Sequence, residues 1–138
     1  MSPELKVLEK IRKVLIADAT VKACFEDRVY TAHISSIDRP KYPAMSLHLM
    51  DSKAADYAPD MATMAVQIDL WMPDKLHSVD DVLTLYARVR ALLHRQDLTD
   101  TTIGVTVGWI AEAATGPVTF DETNNCRHLP ARYRIVAI

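Results

Sequence analysis

The sequence predicts an α+β fold, an antiparallel sheet of about four to five strands with two helices packed on one face. Two segments place apolar residues at helical spacing, one at the N-terminus and one after residue 78. Most other apolar segments alternate with polar residues, as strands do when one face is buried. Near-continuous apolar strands that alternate with helices are absent from the sequence, so a doubly wound parallel sheet is not expected.

The two predicted helices begin at residues that favour helix starts. Ser2 can cap the first helix, Pro3 suits its first turn, and we expect the helix to end near Asp18. Ser78 can cap the second helix, with Asp81 three residues later as in a capping box. The apolar stripes expected to be buried are Leu5, Leu8, Ile11, Leu15 and Ile16 in the first helix, and Val82, Leu83, Tyr86, Val89, Leu92 and Leu93 in the second.

Three strands are predicted between the helices, over residues 28–32, 44–50 and 62–72. The third is the clearest, because its residues alternate without a break. Residues 51–61 interrupt the alternation, and we interpret them as a loop. In the third strand, one face carries Met64, Val66, Ile68, Leu70 and Met72, and the other carries Thr63, Ala65, Gln67, Asp69 and Trp71.

Two further strands are predicted after the second helix, over residues 101–110 and 127–138, with a turn-rich segment at 111–126 between them. Gly104 and Gly108 fall inside the first of these strands, where glycine indicates a bulge or close packing. The residues expected to share a face are Ile103, Val105, Val107 and Trp109 in that strand, and Arg132 with Arg134 in the last.

Length and composition indicate one ordinary domain, residues 1–138, large enough to bury a core without disulfides or metal. The formal net charge is −2 and the pI about 6.2, which argues against a dedicated nucleic-acid binder but leaves room for a local basic patch. Cys24 and Cys126 are predicted to be reduced thiols. The charged N-terminus and the lack of a long apolar run predict a protein without a signal peptide or membrane span, made in a cytoplasm.

Motifs for chemistry are weak throughout the sequence. Its 3 glycines cannot form a phosphate-binding loop, and its 5 histidines show no paired spacing for a metal. Cys126 and His128 could share a strand face and form a thiolate–imidazole pair, although neighbours at this spacing are common by chance. We therefore predict no cofactor, no metal and no catalytic residue, and we do not expect an enzyme.

The polar strand faces indicate protein contacts instead. Gln67, Asp69 and Trp71 share a face that helices need not cover, and Arg132 with Arg134 form a second patch. Tryptophan and arginine are enriched where proteins meet. Trp71 could alternatively be tucked beneath the 51–61 loop. These five residues, together with Tyr57 in that loop, are the predicted interface candidates.

The order of several short motifs resembles the tail terminator (tail completion, neck) proteins of long-tailed bacteriophages. The motifs are "FEDRVY", "RPKYPAMSLHL", the strand ending "VQIDLWMPD", the helix "VLTLYARVRALLH" and the closing "RHLPARYRIVAI". They span nearly the whole chain, and each one is short, so the likeness rests on order and spacing.

This resemblance implies a structural virion protein assembled in the host cytoplasm and located at the tail neck. Such proteins form a ring, typically a hexamer, that caps the tail tube, ends its polymerisation and joins the tail to the head connector. The implied partners are further copies of the chain, the tail tube protein and the connector or stopper protein. DNA would pass through the lumen without specific binding, and no membrane is involved. The family has an α+β fold and no catalytic residues.

Other interpretations remain open from sequence alone. Another neck protein, such as a head-completion or stopper ring, would have similar properties. A small α+β enzyme could use Cys126, His128 and Asp69, and such a thiol should have a depressed pKa. A minor nucleic-acid binder would show binding that weakens steeply with salt. For Arg132 and Arg134, we predict pairing with carboxylates of another protein rather than contact with DNA.

Overall fold

A computed structural model describes residues 2–55 and 58–137, and the side chains of those residues outside 54–60. The described residues form three α-helices and six strands, which confirms the predicted α+β class. The helices are α1 (Pro3–Ala17), α2 (Ala19–Phe25) and α3 (Val79–Leu93), and a short 3₁₀ turn spans Ile34–Ser36. The strands are β1 (Val29–Tyr30), β2 (Ala44–Ala55), β3 (Ala58–Pro73), β4 (Val107–Thr115), β5 (Thr119–Asp121) and β6 (Cys126–Ala137).

The strands form one sheet in the order β1-β2-β3-β6-β4, with β5 paired to β6 beside β4. Every pairing is antiparallel except that of β1 with β2. β4 and β5 follow one another along the same side of β6, so they form one edge interrupted at residues 116–118. Much of the segment predicted as turn-rich is therefore strand, and the sheet has one strand more than expected.

Gly116 lies at the interruption between β4 and β5. Its N–H donates a 2.8 Å hydrogen bond to the Pro130 carbonyl on β6. A Cβ at this position would come within 2.6 Å of the Pro130 ring. Glycine lets the edge stay close to β6 while the chain changes course.

The core lies between the helices and one face of the sheet. The predicted apolar face of β3 is buried there, and β6 contributes Leu129, Ala131, Tyr133 and Ile135. Because the central strands β3 and β6 pair over nearly their whole length, these side chains form a continuous apolar surface. The helix residues that cover this surface are Val7, Leu8, Ile11 and Leu15 of α1, Val21 and Phe25 of α2, and Val82, Leu85, Tyr86, Val89 and Leu93 of α3.

The predicted helix starts are confirmed. The Ser2 side chain accepts from Leu5 N, and Ser78 with Asp81 forms a complete capping box. Two residues of the predicted stripes are nevertheless exposed, Leu5 and Leu83, because each points away from the sheet. In α3, Leu85 takes the buried position instead.

The third helix, α2, was not predicted. Asp18 ends α1 and its side chain accepts from Val21 N, so the same residue caps α2. Arg88 of α3 forms an ion pair with the Asp18 carboxylate, with Arg88 Nε 3.1 Å from Oδ1. The cap and the ion pair together join all three helices at one point.

A buried polar chain joins α3 to the sheet. The Tyr86 hydroxyl donates to Glu112 Oε2 at 2.6 Å and lies 2.8 Å from the Tyr133 hydroxyl. Burial raises the pKa of Tyr133 to about 12 and also raises the pKa of Tyr86, so both hydroxyls stay protonated. Arg90 pairs with the same Glu112 carboxylate at 3.1 Å. Each hydroxyl thus has a partner beneath α3.

The predicted 51–61 loop is wrong for the part that the structure describes. Residues 51–55 continue β2, and β3 begins at Ala58. A bulge at Met50 explains the misinterpretation, since Leu49 pairs with Val66 and Asp51 with Ala65. The extra residue shifts the alternation by one position, so the strand pattern seems to stop where the strand continues.

Candidate interaction surface

The face of the sheet opposite the helices is called the outer face here. It carries the polar side of β3, including Gln67, Asp69 and Trp71. Because β3 pairs with β6, Gln67 lies opposite Arg132 and Ala65 opposite Arg134. The two patches predicted separately therefore lie on adjacent strands of one surface.

One end of the outer face is covered by the segment that connects β1 to β2. Trp71 is only 7% exposed and packs with Ile34, Ala44 and Tyr42. Its indole N–H donates to Ser46 Oγ at 3.2 Å. The expectation that Trp71 is exposed on this face is wrong, because a parallel β1–β2 pair requires a connection that crosses the sheet.

The alternative position for Trp71 is also incorrect in detail. The cover comes from the Ile34 and Tyr42 region rather than from residues 51–61. Ala44 is the β2 residue opposite Trp71, whereas Asp51 lies opposite Ala65, six residues along β3. The 51–61 segment therefore begins well away from the indole ring.

Asp69 forms the centre of a buried polar cluster in the middle of the outer face. It is 1% exposed, and its Oδ1 accepts from Gln67 Nε2 at 2.9 Å and from His128 Nε2 at 2.7 Å. The His128 ring stacks on Trp71, with centroids 3.9 Å apart. A carboxylate so deeply buried needs such donors, since an unpartnered buried charge is costly.

His48 approaches the same carboxylate from β2. Its Nδ1 is 3.6 Å from Asp69 Oδ2, and neither atom has a hydrogen-bond partner among the described residues. Burial lowers the pKa of His48, the nearby Asp69 charge opposes this shift, and His33 adds to it. His33 meets His48 edge to face at 4.9 Å between ring centroids. Among the described residues, Oδ1 of Asp69 thus accepts two hydrogen bonds, whereas Oδ2 accepts none.

The other end of the outer face is open. Arg132 and Arg134 are exposed on β6, and Trp109 of β4 is 48% exposed on the next strand. Trp109 pairs with Val136 and Ala111 with Arg134, so the indole and the guanidinium group are diagonal neighbours. Among the described residues, neither arginine has an ion pair. This basic, aromatic area is named the arginine patch (Trp109, Arg132, Arg134).

The prediction for the 101–110 strand is wrong in two respects. Residues 101–104 form turns, Val105 forms an isolated bridge with Asp100, and Gly104 adopts a left-handed conformation with φ 81° rather than a strand conformation. A bulge at Gly108 then places Trp109 on the outer face of the sheet, whereas Val107 lies on the helix side. Glycine at 108 was the available signal, since glycine within a strand indicates a bulge.

The predicted interface residues are therefore divided. Arg132 and Arg134 are exposed, Gln67 is partly buried, and Asp69 and Trp71 are buried within the chain. Tyr57 lies outside the described residues. Sequence reasoning also missed His48 and Trp109 as site residues. The available signal for His48 was the alternation of residues 44–50, which puts it on the polar face of β2 with Ser46.

Cys126 and His128 do not form a reactive pair. The Cys126 thiol donates to the Asn124 carbonyl at 3.3 Å, while His128 is held by Asp69 and Trp71. Burial raises the pKa of Cys126 to about 11, opposite to the shift that activates a nucleophile. Burial likewise raises the pKa of Cys24.

A second exposed surface lies at the start of α3 and in the turn before it. Leu76 is 71% exposed, and Val79 and Leu83 at the start of α3 are also exposed. Val79 and Leu83 are four residues apart, so they lie on one helix face. Asp80 lies in the first turn and has no ion pair among the described residues. This surface is named the leucine ridge (Leu76, Val79, Asp80, Leu83).

Two further properties concern the described residues only. They contain no group of three or more His, Cys, Asp or Glu side chains placed to hold a metal ion. None of their helices is both long enough and apolar enough to cross a membrane.

Comparison with known proteins yields a likeness of fold. No family model and no curated protein matches the sequence. Among solved structures, a chain of the "Virion of native gene transfer agent (GTA) particle" is similar, with a TM-score of 0.66 and 16% sequence identity. The match covers 92% of this chain and 90% of that chain, so the two share an architecture over nearly their full lengths.

Proposed function

We propose that this protein is a structural virion component of a tailed phage or phage-like particle, and that it forms a tail terminator ring. The ring, about six copies around a closed rotation, caps the tail tube, stops its polymerisation and joins the tail to the head connector. The observation that carries the proposal is the near full-length fold likeness to a chain of a virion, reached at low identity.

The surfaces of the chain support an assembly role. The arginine patch and the leucine ridge are unlike one another and lie on opposite sides of the sheet. A subunit with two unlike surfaces can join copies head to tail, which closes into a ring when the rotation allows it. Cys126, the one thiol considered as a nucleophile, is held in its protonated form, which disfavours the enzyme alternative.

We further propose that DNA passes through the ring lumen without specific binding. The net charge of −2 supports this, since a strongly basic lining would hold the phosphates. Arg132 and Arg134 then contact carboxylates of proteins. DNA binding that weakens steeply with added salt, and that is lost in Arg132→Ala/Arg134→Ala, would contradict this assignment.

The first test is the native mass of the purified protein by light scattering, with negative-stain images of the same fraction. A mass of about six subunits with annular particles is the expected result for a ring that assembles unaided. If the protein is a monomer, it is mixed with tail tube protein during polymerisation. Capped tubes of controlled length then support a terminator.

The same mixture distinguishes the alternatives. A head-completion or stopper ring binds the connector and leaves tube length uncontrolled, so tube length separates it from a terminator. A monomer that binds neither tube nor connector overturns the virion proposal. In that case, the rate of alkylation of Cys126 tests the enzyme alternative, since a slow rate is expected from its raised pKa.

A further inference from the structure

The leucine ridge presents apolar side chains that the fold does not use. Leu76, Val79 and Leu83 occupy one short stretch, and each exposes more than a third of its surface. The α3 residues Val82 and Leu85 are buried against the sheet, so the helix fills the core without using Val79 or Leu83. Exposed apolar side chains this close together in the chain are available for contact with another protein.

The arginine patch has complementary character. Trp109 offers a half-exposed indole beside Arg134, and it borders an open groove with Arg95, Asp97 and Val107. An aromatic ring next to guanidinium groups is the composition found at the centres of protein interfaces. The patch can therefore receive an apolar side chain and a carboxylate together.

The charges of the two surfaces are opposite. Asp80 is the free carboxylate of the leucine ridge, because Asp81 is engaged in the capping box and Asp74 pairs with Arg127 at 3.1 Å. Within the described residues, Arg132 and Arg134 have no ion-pair partner. The two surfaces lie on opposite sides of one sheet, so Asp80 cannot reach these arginines within its own chain.

We infer that a second copy of this chain is the partner, with the leucine ridge of one copy docked on the arginine patch of the next. Leu76, Val79 and Leu83 pack against Trp109, and Asp80 pairs with Arg132 and Arg134. The contact is head to tail, because the two surfaces differ, and an open assembly keeps one free leucine ridge at one end and one free arginine patch at the other until the ring closes. The inference rests on the proposed ring and specifies which surfaces form it.

Charge reversal on each surface provides the test. One variant carries Arg132→Glu and Arg134→Glu, and the other carries Asp80→Arg. Each variant alone places like charges across every contact, so its native mass should fall to that of a single chain. Mixed in equal amounts, the two variants alternate around the ring, every contact is again between opposite charges, and the mass of the wild-type ring should return.

Matched controls reverse charges away from both surfaces. Lys22→Glu with Lys41→Glu, and Glu9→Arg, change exposed residues of α2, the β1–β2 connection and α1. These variants should assemble as the wild type does. If the wild type assembles only on tube protein, all samples are compared by co-sedimentation with tubes.

Failure of this inference is separable from failure of the ring. If the wild type forms rings and either charge-reversed variant also forms them alone, the surfaces are wrongly assigned while the ring stands. If each variant is monomeric alone and their mixture is monomeric as well, the pairing of these two surfaces is overturned. If the wild type forms no ring alone or on tubes, the proposed function fails, and this inference fails with it.

Discussion

Side chains on the two faces of the sheet are buried by different kinds of contact. On the helix side, β3 and β6 bury apolar side chains beneath three helices, and shape and volume decide the packing. On the outer face, Asp69 and Ser46 are buried among hydrogen-bonded neighbours, Asp69 with His128 and Ser46 with Trp71. Alternate residues of the same strands thus build an apolar core and a polar cluster. Burial on the outer face therefore depends on hydrogen-bond partners, whereas burial on the helix side depends on filled volume.

The largest expected effect separates the two faces directly. Leu70→Ala removes a fully buried side chain from the helix side and should lower the free energy of unfolding by about 2–5 kcal/mol. Thr63→Ala changes an exposed position on the outer face of the same strand and should stay within about 0.5 kcal/mol. Urea denaturation measures both. Equal losses in the two variants would mean that the faces do not differ as described.

The next effect concerns the buried carboxylate. Asp69→Ala leaves Gln67 and His128 without their acceptor and should lower the free energy of unfolding by about 1–3 kcal/mol. Glu122→Ala, which removes an exposed carboxylate in the turn after β5, serves as the control and should change it by less than about 0.5 kcal/mol. The same urea titration applies. A neutral Asp69→Ala would show that the cluster does not need its acceptor.

A smaller effect is expected at the start of α3. Ser78→Ala removes the side chain that accepts from Asp81 N and should cost about 1 kcal/mol in thermal or urea unfolding. Thr84→Ala lies on the exposed side of the same helix and should be neutral or slightly stabilising, since alanine favours helix. If the two variants lose the same stability, the cap does not determine where the helix begins.

The smallest effect is a pH dependence that belongs to the outer face. Burial lowers the pKa of His48, so the unfolded chain binds the His48 proton more readily than the folded chain. The contribution of neutral His48 to stability is therefore complete above about pH 6.5 and is lost as the pH falls below it. His48→Gln should flatten this part of the stability–pH curve, measured as the urea midpoint. A stability–pH curve that falls as steeply in His48→Gln as in the wild type would contradict this prediction.

Local signals accounted for the parts of the fold that the sequence predicted correctly. The helix caps at Ser2 and Ser78 and the alternation of β3 depend only on residues close together in the chain. They can therefore be recognised from a single sequence. The exposure of Arg132 and Arg134 on one face follows from the same period of two.

The remaining features depend on residues distant in the chain. The bulges at Met50 and Gly108 shift the alternation, which hid the continuation of β2 and the outward position of Trp109. The burial of Trp71 depends on a connection that crosses the sheet, and the role of His48 depends on Asp69 from the neighbouring strand. The local pattern of apolar residues indicates neither the burial of Trp71 nor the contact of His48 with Asp69.

The edge of the sheet formed by β4 and β5 has a consequence for aggregation of the chain. Its bulges near Gly108 and Ala113 break the regular row of backbone N–H and C=O groups on which another strand could be added. We therefore expect concentrated preparations to resist the growth of cross-β fibrils from this edge. Newly made chains are thereby protected from this route of aggregation.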